Sequence, residues 1–425
     1  ISVILNVRRL NRFQRRSNWL GDNDMLEFHS GSSSAVNSKT AILECIDHAF
    51  GDRDKAECKL LIIHSTVGHN FDQMAAGAKE ACPEAEIVGC TGSGVIGHGS
   101  VSEAMRAMAI MAITGNEFTV AAADGLNGGN SAEFGERVAA AIKAEDPGIN
   151  MVFALSAGLD LAGDQVIAGI ESVFGADIPI FGATAADNGK AKGTFQFHNQ
   201  DVLEEGLILV GLSDPSLEVL SGVHHGSKPI EGAIFEVTKS NDNEIIELDG
   251  KPAWHALLAR FGLPPESTEV PDVMAIAGLG DILTEDEQAV YDNPQILRVP
   301  IKVSDDKQSF YLTAAIPEGT KLQLMQRDEQ YIFDGVESLM QRMQDDLDGR
   351  QPVAVFHADC MARGRHTFNQ VLKDEIIAKM QYPICGEDFI PWLGVYGFGE
   401  YCRFAGKNHF HAYTTSLFPI VRREA

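Results

Sequence analysis

A mixed α/β protein, with two domains of layered sheets and helices, is the fold that this sequence predicts, on three observations. One pattern recurs: an apolar strand, a turn of small polar residues, an amphipathic helix, and a second apolar strand ending in glycine. It reads KLLIIHSTVGHN (59–70) to AEIVGCTGSG (85–94), MVFALSAGLD (151–160) to IPIFGATAADN (178–188), and VAVFHADCMARGR (353–365) to IPWLGVYGFGE (390–400). Between the second and third copies the chain alternates apolar and polar residues, as strands of a largely antiparallel sheet do. At 425 residues it is too long for one ordinary core. In each copy the glycines and polar residues fall at the carboxyl ends of strands, where open α/β sheets place ligands.

The elements follow in order. ISVILNVRRLNRFQRRSNWL, with five arginines before the first acid at Asp22, stands apart from the acidic remainder. Residues 1–24 read as a basic extension produced by an early start, with Met25 as the true start. Ser38 or Thr40 caps a helix through AILECIDHAF. The first unit follows, its helix over residues 71–82 stopped by Pro83. VGCTGSGVIGHGS then makes a long turn before a strand through MAIMAI, a strand through EFTVAAADGL, and a helix over 131–144.

After the second unit come the strands GTFQFHN, EEGLILVGL, LEVLSGVHH, AIFEVTKS and EIIELDG, the last two joined by a turn at Asn241-Asp242-Asn243. PAWHALLARFG is a short helix closed by Gly262 and opens the second domain, so the domains run 25–248 and 249–425. Strands ILRVPIKV, FYLTAAI and KLQLMQ, a helix through FDGVESLMQRMQDDL, the third unit and a closing strand HFHAYTTSLFPI complete the chain.

Composition excludes several functions. Sixty acidic against 34 basic residues give a formal charge of −26, which repels nucleic acid and anionic lipid, so neither is expected as a partner. No run is apolar enough to span a membrane, and a cytoplasmic protein is expected. Seven widely spaced cysteines without a CxxC pair fit free thiols rather than a disulfide framework, and no Cys/His spacing suits a structural metal.

In sequence order, VGCTGSGVI (88–96), FGATAADNG (181–189), GVHHGSKPI, EVTKSNDNEIIELDGKPA (236–253), RVPIKV, IPEGTKLQL (316–324), Cys360 with Arg363 and Gly364, and GVYGFGE (394–400) followed by HFHAYTTSLF resemble a FIST protein. The resemblance covers about Met25 to Ile420, with a FIST N domain followed by a FIST C domain. It implies an intracellular sensory module that binds a small ligand, an amino acid or similar metabolite, and signals through a separate partner such as a histidine kinase or a cyclic-dinucleotide enzyme. One branch of the family holds haem and senses nitric oxide. Haem is therefore the alternative cofactor here, although none is expected and there is no C-x-x-C-H attachment motif.

The loops supply the candidate site residues. Gly92-Ser93-Gly94-Val95-Ile96-Gly97 matches G-x-G-x-x-G, but no clear helix start follows it. A tight loop offering amides to a small anion is the functional reading, and simple turn-making the structural one. Cys90, Thr91 and Gly92 correspond to the segment around Thr184 in the second copy. Their hydroxyls and amides suit a carboxylate, with Asp187 as acceptor for an ammonium, unless these side chains serve their own loops. His357, Cys360 and Arg363 bring an imidazole, a thiol and a guanidinium near one strand end. They form either a ligand pocket or, alternatively, an enzyme with Cys360 as nucleophile and His357 as base. Glu400, after Gly397-Phe398-Gly399, presents a carboxyl group that either recognises ligand or pairs with Arg403. The expected ligand pocket gathers Thr91, Gly92, Asp187, Arg363 and Glu400. The eight candidate haem-ligand histidines are His64, His69, His98, His224, His225, His357, His409 and His411.

Overall fold

A computed structural model describes residues 25–190, 192–274, 276–291, 293–364 and 370–423. The basic extension 1–24 lies outside them. The fold is mixed α/β, with parallel and antiparallel strands in the same sheets.

Each repeated unit forms a parallel pair: Leu60–Thr66 with Glu86–Gly92, Met151–Ser156 with Ile180–Thr184, and Ala354–Cys360 with Trp392–Gly397. Helices Phe71–Ala81, Gly163–Phe174 and Gln370–Cys385 make the crossovers. On the far side of each first strand lies an antiparallel neighbour, Met108–Thr114, Gly206–Leu212 or Thr414–Arg422. Strands Glu27–Ser33, Phe118–Asp124 and Leu217–Val219 pair with these neighbours in turn.

A hairpin donated by another unit completes each sheet. The first unit's hairpin, Val95–Gly97 with Ser100–Ser102, joins the third unit's sheet at Trp392–Gly397. The second unit's hairpin, Gln196–His198 with Asp201–Leu203, joins the first at Glu86–Gly92. The third unit's hairpin, Glu400–Phe404 with Lys407–His411, joins the second at Ile180–Thr184. The exchange closes a three-membered cycle, so the sheets join residues on both sides of position 249. The segment read as a long turn, 95–102, is thus a hairpin; its strand partners lie almost 300 residues away in sequence, which local pattern does not report. The single closing strand is likewise two, Lys407–His411 and Thr414–Arg422, separated at Tyr413, whose φ is +59°.

The recurrent strand glycine has one physical cause. Gly89, Gly182 and Gly394 lie opposite Ile63, Ala154 and His357 in equivalent register. A Cβ would meet the facing carbonyl oxygen at 2.1 Å at Gly89 and Gly182, too close for any side chain, and at a tight 3.0 Å at Gly394. Where the three sheets face one another, Phe153, Phe181, Phe356 and Phe418 pack with ring centroids 4.9–5.7 Å apart. Burying each ring contributes about 1.5–3 kcal/mol.

Between His225 and the helix Glu329–Leu347 a fourth, antiparallel sheet is inserted. It includes Ser227–Asn241, Glu244–Leu248, Gly278–Ile282 and Lys321–Arg327, over a core of Phe235, Trp254, Leu257 and Phe310. Asp242, at φ +50°, makes the expected turn between its first two strands. Among the side chains of this body that reach the repeated units, Arg298 donates to the Phe410 carbonyl at 2.8 Å, and Arg327 to the Ala362 carbonyl at 2.7 Å.

Candidate functional site

The carboxyl ends of the three parallel pairs meet in a ring. The Thr91 N–H donates to the Phe195 carbonyl at 2.8 Å, that of Thr184 to Gly399 at 2.9 Å, and that of Tyr396 to Gly94 at 3.0 Å. Ala186 N–H donates to the Thr91 carbonyl and Ser93 N–H to that of Tyr396, tying the loops crosswise. At Gly92 a Cβ would lie 2.4 Å from Val395, so the glycine permits this approach. The Gly92–Gly97 segment therefore turns from one strand into a hairpin, with the Ser93 amide engaged by another unit.

The candidate residues separate into two groups. Thr91 accepts from the Phe195 N–H of the second unit at 3.1 Å and so ties two units together, whereas the Asp187 carboxylate accepts from Lys190 and Lys192 N–H at 2.7 and 2.8 Å and serves its own loop. The Ser93 hydroxyl donates to the Asp187 carbonyl. Cys90 contacts His64 at 3.4 Å in the packed centre. The Thr184 hydroxyl is buried and meets no partner among the described residues.

Cys360, Arg363 and Glu400 form the second group. In register terms Ser65, Ser156 and Asp359 occupy equivalent positions, facing Thr91, Thr184 and Tyr396. Thus one strand end of the three holds a charge where its counterparts hold hydroxyls. Asp359 accepts from Arg363 Nε at 2.9 Å, both being about nine-tenths buried or more. Nearby, Lys373 Nζ lies 3.1 Å from Glu103 Oε2, again buried. Glu103 lies against both Gly94 and Gly364, where an added Cβ would meet it at 2.6 and 2.3 Å.

Glu400 is fully buried; its Oε2 accepts from the Thr414 hydroxyl at 2.7 Å, while Oε1 has no partner among the described residues. Burial first, then the Asp359 carboxylate, raises its proton affinity well above the ordinary glutamate range. Arg403 instead reaches Asp177 and the Ala176 carbonyl, so it is not the partner of Glu400.

Burying two ion pairs stabilises little, because desolvation offsets the attraction. Such pairs at strand ends make this end the candidate for polar chemistry. The Arg363 Nη1, Tyr396 hydroxyl and His357 Nδ1 are also buried without partners among the described residues. Cys360, by contrast, is a poor nucleophile: burial, then Glu400, pushes its thiol up. His357, three residues earlier on the same strand, points to the opposite face and shares a hydrogen with Thr415 at 2.8 Å.

Residues 59–251 match the FIST N domain and residues 263–403 the FIST C domain. The chain belongs to the FIST family. FIST domains are sensory domains. Relatives of this FIST chain include uncharacterized proteins of Mycobacterium bovis and Mycobacterium tuberculosis. Each is 25% identical over 264 residues, spanning 62% of this chain and 62% of the relative's length. Among solved structures, a cyanuric acid hydrolase is 11% identical, with 94% of this chain and 100% of that one covered, at a TM-score of 0.34. A PurL of T. maritima complexed with AMPPCP is 10% identical, with 93% and 72% covered, at 0.21. Likenesses this distant carry no argument about activity.

The FIST resemblance raised haem, and three of the candidate histidines, His225, His64 and His411, do not suit an axial ligand as placed. His225 accepts from the Ser227 N–H at Nδ1 and faces the Gln295 carbonyl with Nε2, leaving neither nitrogen for iron. His64 faces Cys90, and His411 is walled by Tyr291, Phe404 and His409 at centroid distances of 5.5–6.2 Å. Rings that close leave no slot for a macrocycle, which needs a pocket of several hundred Å3. Among the described residues no helix is long and apolar enough to cross a membrane, and no three His, Cys, Asp or Glu side chains gather at metal-binding distance.

Sequence reasoning missed Asp359, Glu103, Lys373 and Tyr396. Asp359 had a signal, a carboxylate inside the apolar run AVFHADC; Glu103 and Lys373 had none, since they meet only through the exchanged hairpin.

Proposed function

We propose that this chain senses a small carboxylate-bearing metabolite, an amino acid or close relative, bound at the third strand end. The observation that carries this reading is Arg363: its Nε is held by Asp359 while Nη1 lies buried without a partner among the described residues. A guanidinium so fixed presents its free edge to an anion, and a carboxylate is the anion whose geometry it matches. Glu400 Oε1 and the Tyr396 hydroxyl are the nearby groups that receive the ligand's ammonium and remaining oxygen. Cys360, between Arg363 and Glu400, shapes the pocket rather than reacting.

The readout follows from the contacts. The turn Met361–Arg363 is tied to the fourth sheet through Arg327 on the Ala362 carbonyl. Ligand on Arg363 biases that turn and so the placement of the fourth sheet, which a separate partner reads in the cytoplasm; a histidine kinase or cyclic-dinucleotide enzyme is the partner class that FIST membership suggests.

Thermal denaturation of the full chain against a panel of amino acids tests the reading. At least one should raise the melting temperature saturably, and Arg363→Ala should abolish that shift. A shift that survives Arg363→Ala overturns the assignment.

A further inference from the structure

The end of the first unit that lies away from the ring of strand ends holds two neighbouring thiols. Cys58 stands two residues before strand Leu60–Thr66, and Cys82 caps the carboxyl end of helix Phe71–Ala81, where its N–H donates to the Ala78 carbonyl at 2.7 Å. The chain then folds back. Ala85 N–H donates to the Cys82 carbonyl at 3.2 Å and Glu86 N–H to that of Lys59 at 2.8 Å, which sets the segment after Cys82 beside the residue after Cys58. The two thiols hydrogen-bond to each other. Both are free cysteines, and both belong to the apolar cluster that helices Ser38–Phe50 and Phe71–Ala81 bury against the first sheet. That cluster ends here: Lys55–Glu57, before Cys58, is a single 3-10 turn with no buried residue, and Pro83 and Glu84, after Cys82, are exposed. The pair therefore lies just beneath the surface, under a turn that makes little apolar contact and opens at low cost.

We propose that Cys58 and Cys82 are a reversible oxidation site, at which a hydroperoxide joins them as a disulfide that staples the start of strand Leu60–Thr66 to the end of helix Phe71–Ala81. The two sulfurs take different parts. Cys82 attacks first, because the hydrogen bond from Cys58 favours its thiolate against the effect of burial, and the cations of Lys55 and Lys79 add to that. Its sulfur takes the outer oxygen of the peroxide: the S–O bond forms as the O–O bond breaks, and the departing oxygen leaves as an alcohol, or as water, with the proton that Cys82 gave up. Cys58 resolves the resulting sulfenic acid. Its sulfur attacks that of Cys82, the S–S bond forms as the S–O bond breaks, and the hydroxide leaves as water with the Cys58 proton. Two thiols are oxidised by two electrons in all, and one peroxide is reduced; a thiol reductant reverses the change by exchange. The remaining thiols are poorer candidates. Burial pushes those of Cys45, Cys90, Cys360 and Cys402 up, and that of Cys385 up to about 11. The inference stands apart from the reading of Arg363.

Peptide mapping of the reduced full chain after exposure to hydrogen peroxide tests this, with remaining thiols alkylated before digestion and no reductant added. A linked peptide joining Cys58 to Cys82 should be the main product, should disappear on treatment with dithiothreitol, and should leave Cys45, Cys90, Cys360, Cys385 and Cys402 alkylated. In Cys58→Ser the second step is lost, so Cys82 should stop at the sulfenic acid and take up dimedone at least about 10-fold faster than any other cysteine. In Cys82→Ser, Cys58 should remain a thiol. The map of the unaltered chain decides the matter whether or not either variant folds. Cys58 and Cys82 both recovered as alkylated thiols, or one of them driven to sulfinic acid with no linked peptide, overturns the proposal. So does a linkage that forms only once the chain is unfolded in urea.

Discussion

Arg363 and Asp359 hold each other inside the protein, and that mutual dependence has a measurable consequence. Removing one partner strands the other charge in a dry interior, whereas removing both lets an apolar core form. Asp359→Leu should therefore destabilise the fold by about 3–5 kcal/mol in urea denaturation, while Asp359→Leu with Arg363→Met should recover most of the loss. Equal destabilisation in single and double variants would contradict this picture. The same pair shows what a sequence can reveal about a site. Cys360, Arg363 and Glu400 stood out because reactive groups at the ends of apolar strands are few. Thr91 and Asp187 stood out for the same reason, but the Thr91 oxygen holds a backbone N–H of another unit and the Asp187 carboxylate those of its own loop. A backbone N–H five residues on, as for Lys192 to Asp187, depends on how the loop folds back, which residue type does not tell.

The elements tell a similar story at larger scale. The three parallel pairs and their crossover helices were legible because strand and helix periods are local properties, and helix Phe71–Ala81 stops before Pro83 as its sequence requires. Asn37, rather than Ser38 or Thr40, caps the first helix, accepting from the Thr40 N–H at 2.9 Å. Hairpin exchange was not legible: Val95–Gly97 and Ser100–Ser102 are short, and what makes them strands is the edge of a distant sheet. That exchange has a testable corollary. Residues 25–248 lack the strands that complete the second sheet, and residues 249–425 lack those that complete the third. Each half made alone should be poorly dispersed in amide NMR spectra, and co-expression should restore the dispersed spectrum. Well-folded separate halves would show that the hairpins add little.

For the whole molecule, buried titratable groups set the response to pH. His64, His224, His225 and His411 are kept neutral by burial, with His64 and His225 lowered to about 3 and His224 to about 2 from 6.5. The unfolded chain takes up protons below pH 6.5 and the folded chain does not, so the stability present above 6.5 is lost as pH falls, about 1.4 kcal/mol per histidine per pH unit. Glu400 acts oppositely: its raised proton affinity means that stability declines as pH rises above 4.5, where only the unfolded chain ionises. These histidines, joined by His69 and His409 that burial lowers to about 4, outweigh one glutamate below 6.5; just above it Glu400 leads, until the buried thiols of Cys45, Cys90, Cys360 and Cys402, pushed up by burial, add to the decline as pH nears 9. Urea unfolding should show maximal stability near pH 6.5, and Glu400→Gln should remove the decline between pH 6.5 and 8. Stability still rising from pH 6.5 to 8 would contradict a protonated Glu400.

The central claim, that Arg363 presents its free edge to a ligand carboxylate, is tested most directly by side-chain NMR of arginine-labelled protein during titration with the amino acid giving the largest thermal shift. One guanidinium resonance, absent from Arg363→Lys, should move saturably with the same affinity as the thermal response. Saturable binding that leaves that resonance unmoved would contradict the account.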